Sequence, residues 1–396
     1  MKRIVFISLA LIWASISFAQ DSKVTSGIMN IQTANELPGA AQKAELFKKG
    51  VGKILTGMEN GPINPKKLPK AYASLATGYF ALLNDSIYLS ENPDLHFKCL
   101  EAVKKAKELD VKGRYTKGPF VFIETNLPFS VFNYGTSFYN TGDYGKALPY
   151  MKVASELAPD NMSFNMLHGY ALLNTNDTAA AIPALQKTID LWNSTEETER
   201  DSGMKKNVLT TNIILATVHN TFSKDPGKAL EVLAKARKEY PTNANLRKTE
   251  LGIYQQNPQL FEEARAKFDA AMKADPSDNI VKLAYASLLT QNGDKDKGID
   301  LYNEVLKTDP NNYQANVNVG AFYINEAVAA KGEYDDTPSS EESKLETLEE
   351  KIYDNLRKAY PFMVKSHEAQ PENAEWLQQL VSISTTIEEL LPDARK

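Results

Sequence analysis

Chain breakers recur along this sequence at a nearly constant interval, and that interval limits what the chain can fold into. Pro159, Asn193, Pro241, Pro276, Pro310 and Pro371 follow one another at 34, 48, 35, 34 and 61 residues. The two long gaps equal 34 plus an insert of 14 or 27 residues. With the breaker as position 32 of a 34-residue unit, position 8 is small (Gly135, Gly169, Gly252, Ala286). Position 20 is small again (Ala147, Ala181, Ala229, Ala264, Gly298). Positions 11 and 24 carry large apolar side chains, such as Phe138 with Met151, Leu172 with Leu185 and Leu289 with Tyr302. Position 27 is Ala154, Ala236 or Ala271. A small residue in each of two amphipathic segments lets two helices cross closely. Proline cannot continue the second helix and marks the turn into the next unit. Such a hairpin has two apolar faces, and only stacking on similar hairpins buries both.

Position by position, these residues resemble the tetratricopeptide repeat (TPR). The resemblance implies an all-α fold, a right-handed superhelical solenoid of helical hairpins with capping helices. It places tandem units at 128–161, 162–195, 210–243, 244–278 and 279–312. A degenerate hairpin plus loop occupies 68–127, with Gly78 in its first helix and Cys99, Val103 and Ala106 in its second. A split unit covers 313–371, with Gly320 and Tyr323 ahead of an acidic insert at 331–345 and Ala359 and Met363 behind it. Several residues depart from the pattern: Thr188 and Asn193, Thr217 and Asn220, Gln255, and Val305. Gly142-Asp143 and Gly293-Asp294 supply turn chemistry inside two hairpins.

The flanks are read separately. Lys2 and Arg3, the apolar stretch from Ile4 to Ile16, and Ser17-Phe18-Ala19 follow the order of a secretory signal with cleavage after Ala19. Residues 1–19 are therefore expected to be an address, and the mature chain to be periplasmic or secreted with no transmembrane segment. Residues 20–67 form an N-terminal segment with an amphipathic helix between Pro38 and Asn60 that would cap the first unit. The stretch from Val111 to Leu127 reads as a structured loop with a strand-like run from Phe120 to Ile123. Lys331 to Glu342 reads as a solvated acidic loop. Residues 372–396 read as a C-terminal capping helix with Trp376, Leu377, Leu380, Ile383 and Ile387 on one side.

Catalytic chemistry finds little support. There is no phosphate-binding Gly-Lys-Ser/Thr loop, no His-Glu-x-x-His and no Gly-x-Ser-x-Gly. One cysteine, Cys99, rules out a disulfide framework and a cysteine zinc site, and its packing position makes it an inert thiol. His168 sits at a hairpin packing position, His219 lies near a helix end, and His96 and His367 are expected to be exposed on second helices. No cofactor, metal or catalytic residue is assigned, and the chain is taken as a non-enzyme. The balance of 45 basic and 50 acidic side chains disfavours nucleic acid. Charge is uneven, since residues 21–120 hold 15 basic and 10 acidic groups. Solvated helix faces account for that asymmetry, with an anionic envelope component or acidic partner as the other explanation.

In the TPR family, first helices line a concave face that grips protein or peptide partners. By that resemblance the ligand-binding residues are Phe132, Thr136, Tyr139, Asn140, Met166, Tyr170, Asn174 and Phe222. The groove positions hold aromatics, amides and hydroxyls, so the subgroup that clamps a peptide carboxylate with Lys and Arg is not matched. Asn recurs at groove position 13 (140, 174, 257, 325), where it either holds a peptide backbone or ends a helix by tolerating the left-handed conformation. Asp85-Ser86-Ile87 and Asp177-Thr178-Ala179 resemble an O-glycosylation acceptor of exported Gram-negative proteins. The expected function is an exported interaction scaffold in the cell envelope. A glycan- or cell-wall-binding protein and an enzyme with its site in the 111–127 or 331–345 inserts are the alternatives.

Overall fold

The computed structural model describes residues 2–371 and residues 378, 381, 382 and 385, with side chains from Ala19 onward. Among the described residues every regular element is a helix. They form two compact units, Met1–Thr211 and Asn212–Lys396. The first holds α1 (Lys2–Glu36), α2 (Ala40–Glu59), α3 (Leu68–Leu82), α4 (Ser86–Glu91), α5 (Leu95–Leu109), α6 (Pro119–Asn140), α7 (Tyr144–Leu157), α8 (Met162–Asn174) and α9 (Thr178–Ser194). Helix α10 (Ser202–Thr221) carries the chain from the first unit into the second. There follow α11 (Pro226–Glu239), α12 (Ala244–Gln256), α13 (Phe261–Ala274), α14 (Asn279–Gln291), α15 (Lys295–Thr308), α16 (Tyr313–Asp336) and α17 (Glu342–Ala369). No helix among the described residues is long and apolar enough to cross a membrane.

The first unit is built of antiparallel pairs, α1 with α2, α3 with α5, α6 with α7 and α8 with α9. Glycine sits where these helices touch. A Cβ on Gly135 would lie 2.7 Å from the Tyr150 Cβ, and one on Gly169 would lie 2.6 Å from a Leu185 methyl. The small and large residues of the second helices form the core, with Ala147, Met151, Ala181 and Leu185 fully buried. In the second unit α14 pairs with α15 and α16 with α17. There Gly298 packs on the Ala286 carbonyl and Gly320 on the Met363 sulfur. Gly252 has open space around it, so no close crossing explains that glycine.

The breakers fall in phase with the helices. Helices α7, α11, α13 and α15 each end two residues before Pro159, Pro241, Pro276 and Pro310. Two residues after each proline an Asn or Asp caps the next helix. Asn161 accepts from the Phe164 N–H, Asn243 from Leu246, Asp278 from Ile280 and Val281, and Asn312 from Ala315. Where Asn193 replaces the proline, α9 runs on to Ser194. Gly142 and Gly293 take the positive φ their turns require, at +80° and +91°.

Four segments differ from the sequence expectation. Residues 20–36 belong to α1, and Val24, Ile28, Ile31 and Ala34 bury one face of it against α2. The N-terminal segment is thus a hairpin rather than a single capping helix. The run Phe120–Ile123 is helical: Gly118-Pro119 starts α6, which continues through Pro128. The acidic insert is helical except for 337–341, because α16 and α17 extend alongside each other and bury Ala327, Ala330, Ile352 and Leu356. Lys331 pairs with Asp335 one turn on, and Lys344 reaches Glu333 across the turn. The fourth is the left-handed account of the position-13 asparagines. Asn140, Asn174, Asn257 and Asn325 all have negative φ, and the positive values among non-glycine residues fall at Asn176 and Lys224. Asn174 and Asn257 instead donate their amides to the carbonyls of Tyr170 and Ile253, capping the helix end. The capping helix expected at 372–396 lies outside the described residues except at 378, 381, 382 and 385.

Candidate functional site

Helix α6 has two working sides, both within the first unit. Toward α8, Phe132 stacks on Phe164 at 4.3 Å between ring centres and is half-buried. The Thr136 hydroxyl donates back to the Phe132 carbonyl. Tyr139 sets its ring edge-on to Tyr144 at 5.1 Å, and its hydroxyl accepts from the Asn174 amide at 3.4 Å. The Tyr170 hydroxyl shares a 2.9 Å hydrogen bond with that of Thr211. Burial pushes the phenols of Tyr139 and Tyr170 upward. The Asn174 amide thus donates both to the Tyr139 hydroxyl and to the backbone carbonyl of Tyr170, while the Tyr170 hydroxyl is engaged with Thr211. Asn140 and Asn174 are exposed, whereas Met166 is buried and packs inside the unit. Phe222 is 67% exposed just beyond α10, in the second unit.

Toward α3, α6 borders a groove of about 590 Å³. Phe80 on α3 meets Phe122 on α6 edge-on at 6.1 Å, and Phe122 and Phe129 stand 63% and 49% exposed. Asn84 and Asn133 line the same groove, together with His96 and Ser130. His96 is not exposed as expected; only 2% of it is accessible. Its ring stacks on Tyr134 at 4.7 Å, Nε2 lies 3.2 Å from the Ser130 hydroxyl, and Nδ1 is buried with no hydrogen-bond partner among the described residues. Burial pulls its pKa down to about 4, so the imidazole is neutral near pH 7. None of the twelve lining residues is charged.

The remaining candidates are structural. Cys99 is fully buried, with its thiol pushed up to about 12 by burial and directed at the Ala76 carbonyl. His168 is half-buried against the Ser155 hydroxyl, and His219 is buried at the end of α10. His367 is half-buried on α17 rather than exposed. No group of acidic, histidine or cysteine residues among those described is arranged to hold a metal. Against the penalty of burial, the N–H groups of Tyr115, Arg114 and Thr116 hold the Asp110 carboxyl below its usual range, which fixes the loop before α6. Part of the N-terminal basic excess is paired, with Lys67 on Asp21, Lys105 on Glu108 and Lys107 on Glu124. Asp85 and Asp177 cap α4 and α9, and Ser86 beside the first is exposed.

A family model described as the tetratricopeptide repeat matches residues 133–194 and 250–313. These two stretches carry tetratricopeptide repeats. Solved structures similar to this chain include a TPR protein from Parabacteroides merdae, 16% identical over 65% of this chain and 98% of that one, with a TM-score of 0.39. YrrB, described as a TPR protein with an unusual peptide-binding site, is 16% identical over 50% of this chain and 96% of its own, at 0.36. Yeast Tom70 is 15% identical over 93% and 64%, at 0.34. No curated protein matches the sequence. The matched stretch 133–194 takes in the C-terminal part of α6 from Asn133 and all of α7, α8 and α9, so the predicted face lies within it except for Phe132 and Phe222. The α3–α6 groove was missed because Phe122 and Asn126 were assigned to a loop and His96 to the surface. The signal for the first was Gly118-Pro119, since proline favours the first turn of a helix.

Proposed function

We propose that this chain is an exported, non-catalytic scaffold of the cell envelope that holds a protein or peptide segment on the first unit. TPR proteins generally mediate protein–protein or peptide interactions, and the two repeat stretches support that general role here. The observation that carries the reading is the α3–α6 groove, where exposed Phe122 and Phe129 stand beside free amides. Large aromatics left in water beside a concavity mark an interaction surface. Tyr139, Asn174 and Tyr170 supply further hydrogen-bonding groups on the α8 side of the same helix. Export rests on the order of charge, apolar stretch and small residues in the first nineteen positions.

Two measurements test this. Mass spectrometry of the protein from a cell-envelope fraction should find a mature N-terminus at Gln20; a chain retaining residues 1–19 in the cytoplasm would refute export. Pull-down from envelope extract should lose specific partners when Phe122→Ser/Phe129→Ser is combined with Tyr139→Ala. An unchanged set of partners would reject the assignment of the binding face.

A further inference from the structure

We infer that the α3–α6 groove takes an internal, uncharged stretch of polypeptide, with both ends of the partner chain lying outside it. The inference rests on the reading that the first unit holds a polypeptide, and adds which kind. Charged residues make up 24% of this chain, yet none is found among the twelve that line the groove. A carboxylate or ammonium entering the groove would give up its water without gaining an opposite charge. The lining therefore disfavours the two chain termini as well as acidic and basic side chains relative to neutral ones.

The groove does offer neutral hydrogen bonding. Asn84 and Asn133 make no side-chain hydrogen bond among the described residues, so each presents one acceptor and two donors. That pairing matches a peptide unit, which has one N–H and one C=O. Phe80, Phe122 and Phe129 supply apolar contact area for the side chains between those units. His96 bonds to Ser130 within the groove lining and is held neutral by burial, so it adds no fixed charge near pH 7. A neutral oligosaccharide shares part of this chemistry. However, Phe80 and Phe122 meet at 89°, edge to face, and do not form a flat platform for a sugar ring.

The test pans a random dodecapeptide phage library against the full-length protein. Enriched peptides should be depleted in Asp, Glu, Lys and Arg at their centre. A synthetic version should bind equally with a free or an amidated C-terminus. Its affinity should fall about tenfold or more, roughly the loss of one good contact, with Phe122→Ser/Phe129→Ser. Asn133→Asp, an exposed change, should weaken it similarly and favour Lys-bearing peptides; circular dichroism checks that both variants fold. Enriched peptides that carry central charges, need a free terminus or ignore both variants would overturn the inference while leaving the polypeptide reading intact. If no peptide enriches and a neutral oligosaccharide binds instead, that reading fails too.

Discussion

Glycine is the residue on which the hairpins depend most visibly, and its positions are not equivalent. Gly169 lies against Leu185 with no room for a methyl group, whereas Gly252 faces open space. Gly169→Ala should therefore lower stability by about 1–3 kcal/mol through overpacking. Gly252→Ala should be neutral or raise it by up to about 1 kcal/mol through helix propensity. Thermal melts of the two variants side by side check this, and equal losses would refute the distinction. The departures from the repeat pattern are absorbed locally. Thr188 is fully buried and donates its hydroxyl to the Ala184 carbonyl. Asn220, where an apolar residue was expected, donates to Gln256 and accepts from Asn257. A substituted core position thus keeps its place when the polar group finds a partner within reach.

At the level of helices, the joints were legible and the helix lengths were not. Prolines fixed four helix ends to within two residues, because a missing N–H and a ring clash act whatever the tertiary surroundings. Length depends on packing that local composition does not record. Pro128 looked like the start of a helix, yet it lies buried within α6, whose first turn supplies Phe122 to the groove. Residues 20–36 follow directly on the apolar leader, and their Val24, Ile28 and Ile31 spacing is helical. The acidic stretch at 331–336 has the composition of a solvated loop, but it continues α16, whose Ala327 and Ala330 just before it pack on α17. Gly332 tests that last point, since it is exposed on α16 with no atom near its missing side chain and no positive φ. Gly332→Ala should raise stability by about 0.5–1 kcal/mol. A loss in chemical denaturation would contradict a helix there.

Over the whole molecule, three of the four histidines have pKa values lowered by burial: His96, His168 and His219. The unfolded chain binds protons at these sites near pH 6.5, whereas folded His96 waits until about pH 4. Stability from His96 is thus fully present above pH 6.5 and is lost as pH falls toward 4, at up to about 1.4 kcal/mol per pH unit. His168 and His219 shift in the same direction. Melting temperature should fall between pH 7 and 4, and His96→Asn should flatten the slope by about one proton. An unchanged slope would mean that His96 is solvated. The groove illustrates the same limit on legibility. Its aromatics and amides were visible as residues, but the absence of charge emerges only when α3, α5 and α6 are brought together.

Four of the joints between hairpins are written in three adjacent letters, a proline and the Asn or Asp two places on. A segment of about 34 residues therefore arrives with its own connector already encoded. Tandem duplication or loss of such a cassette would lengthen or shorten the array without inventing a new interface, leaving evolution free to adjust how much partner the protein can span.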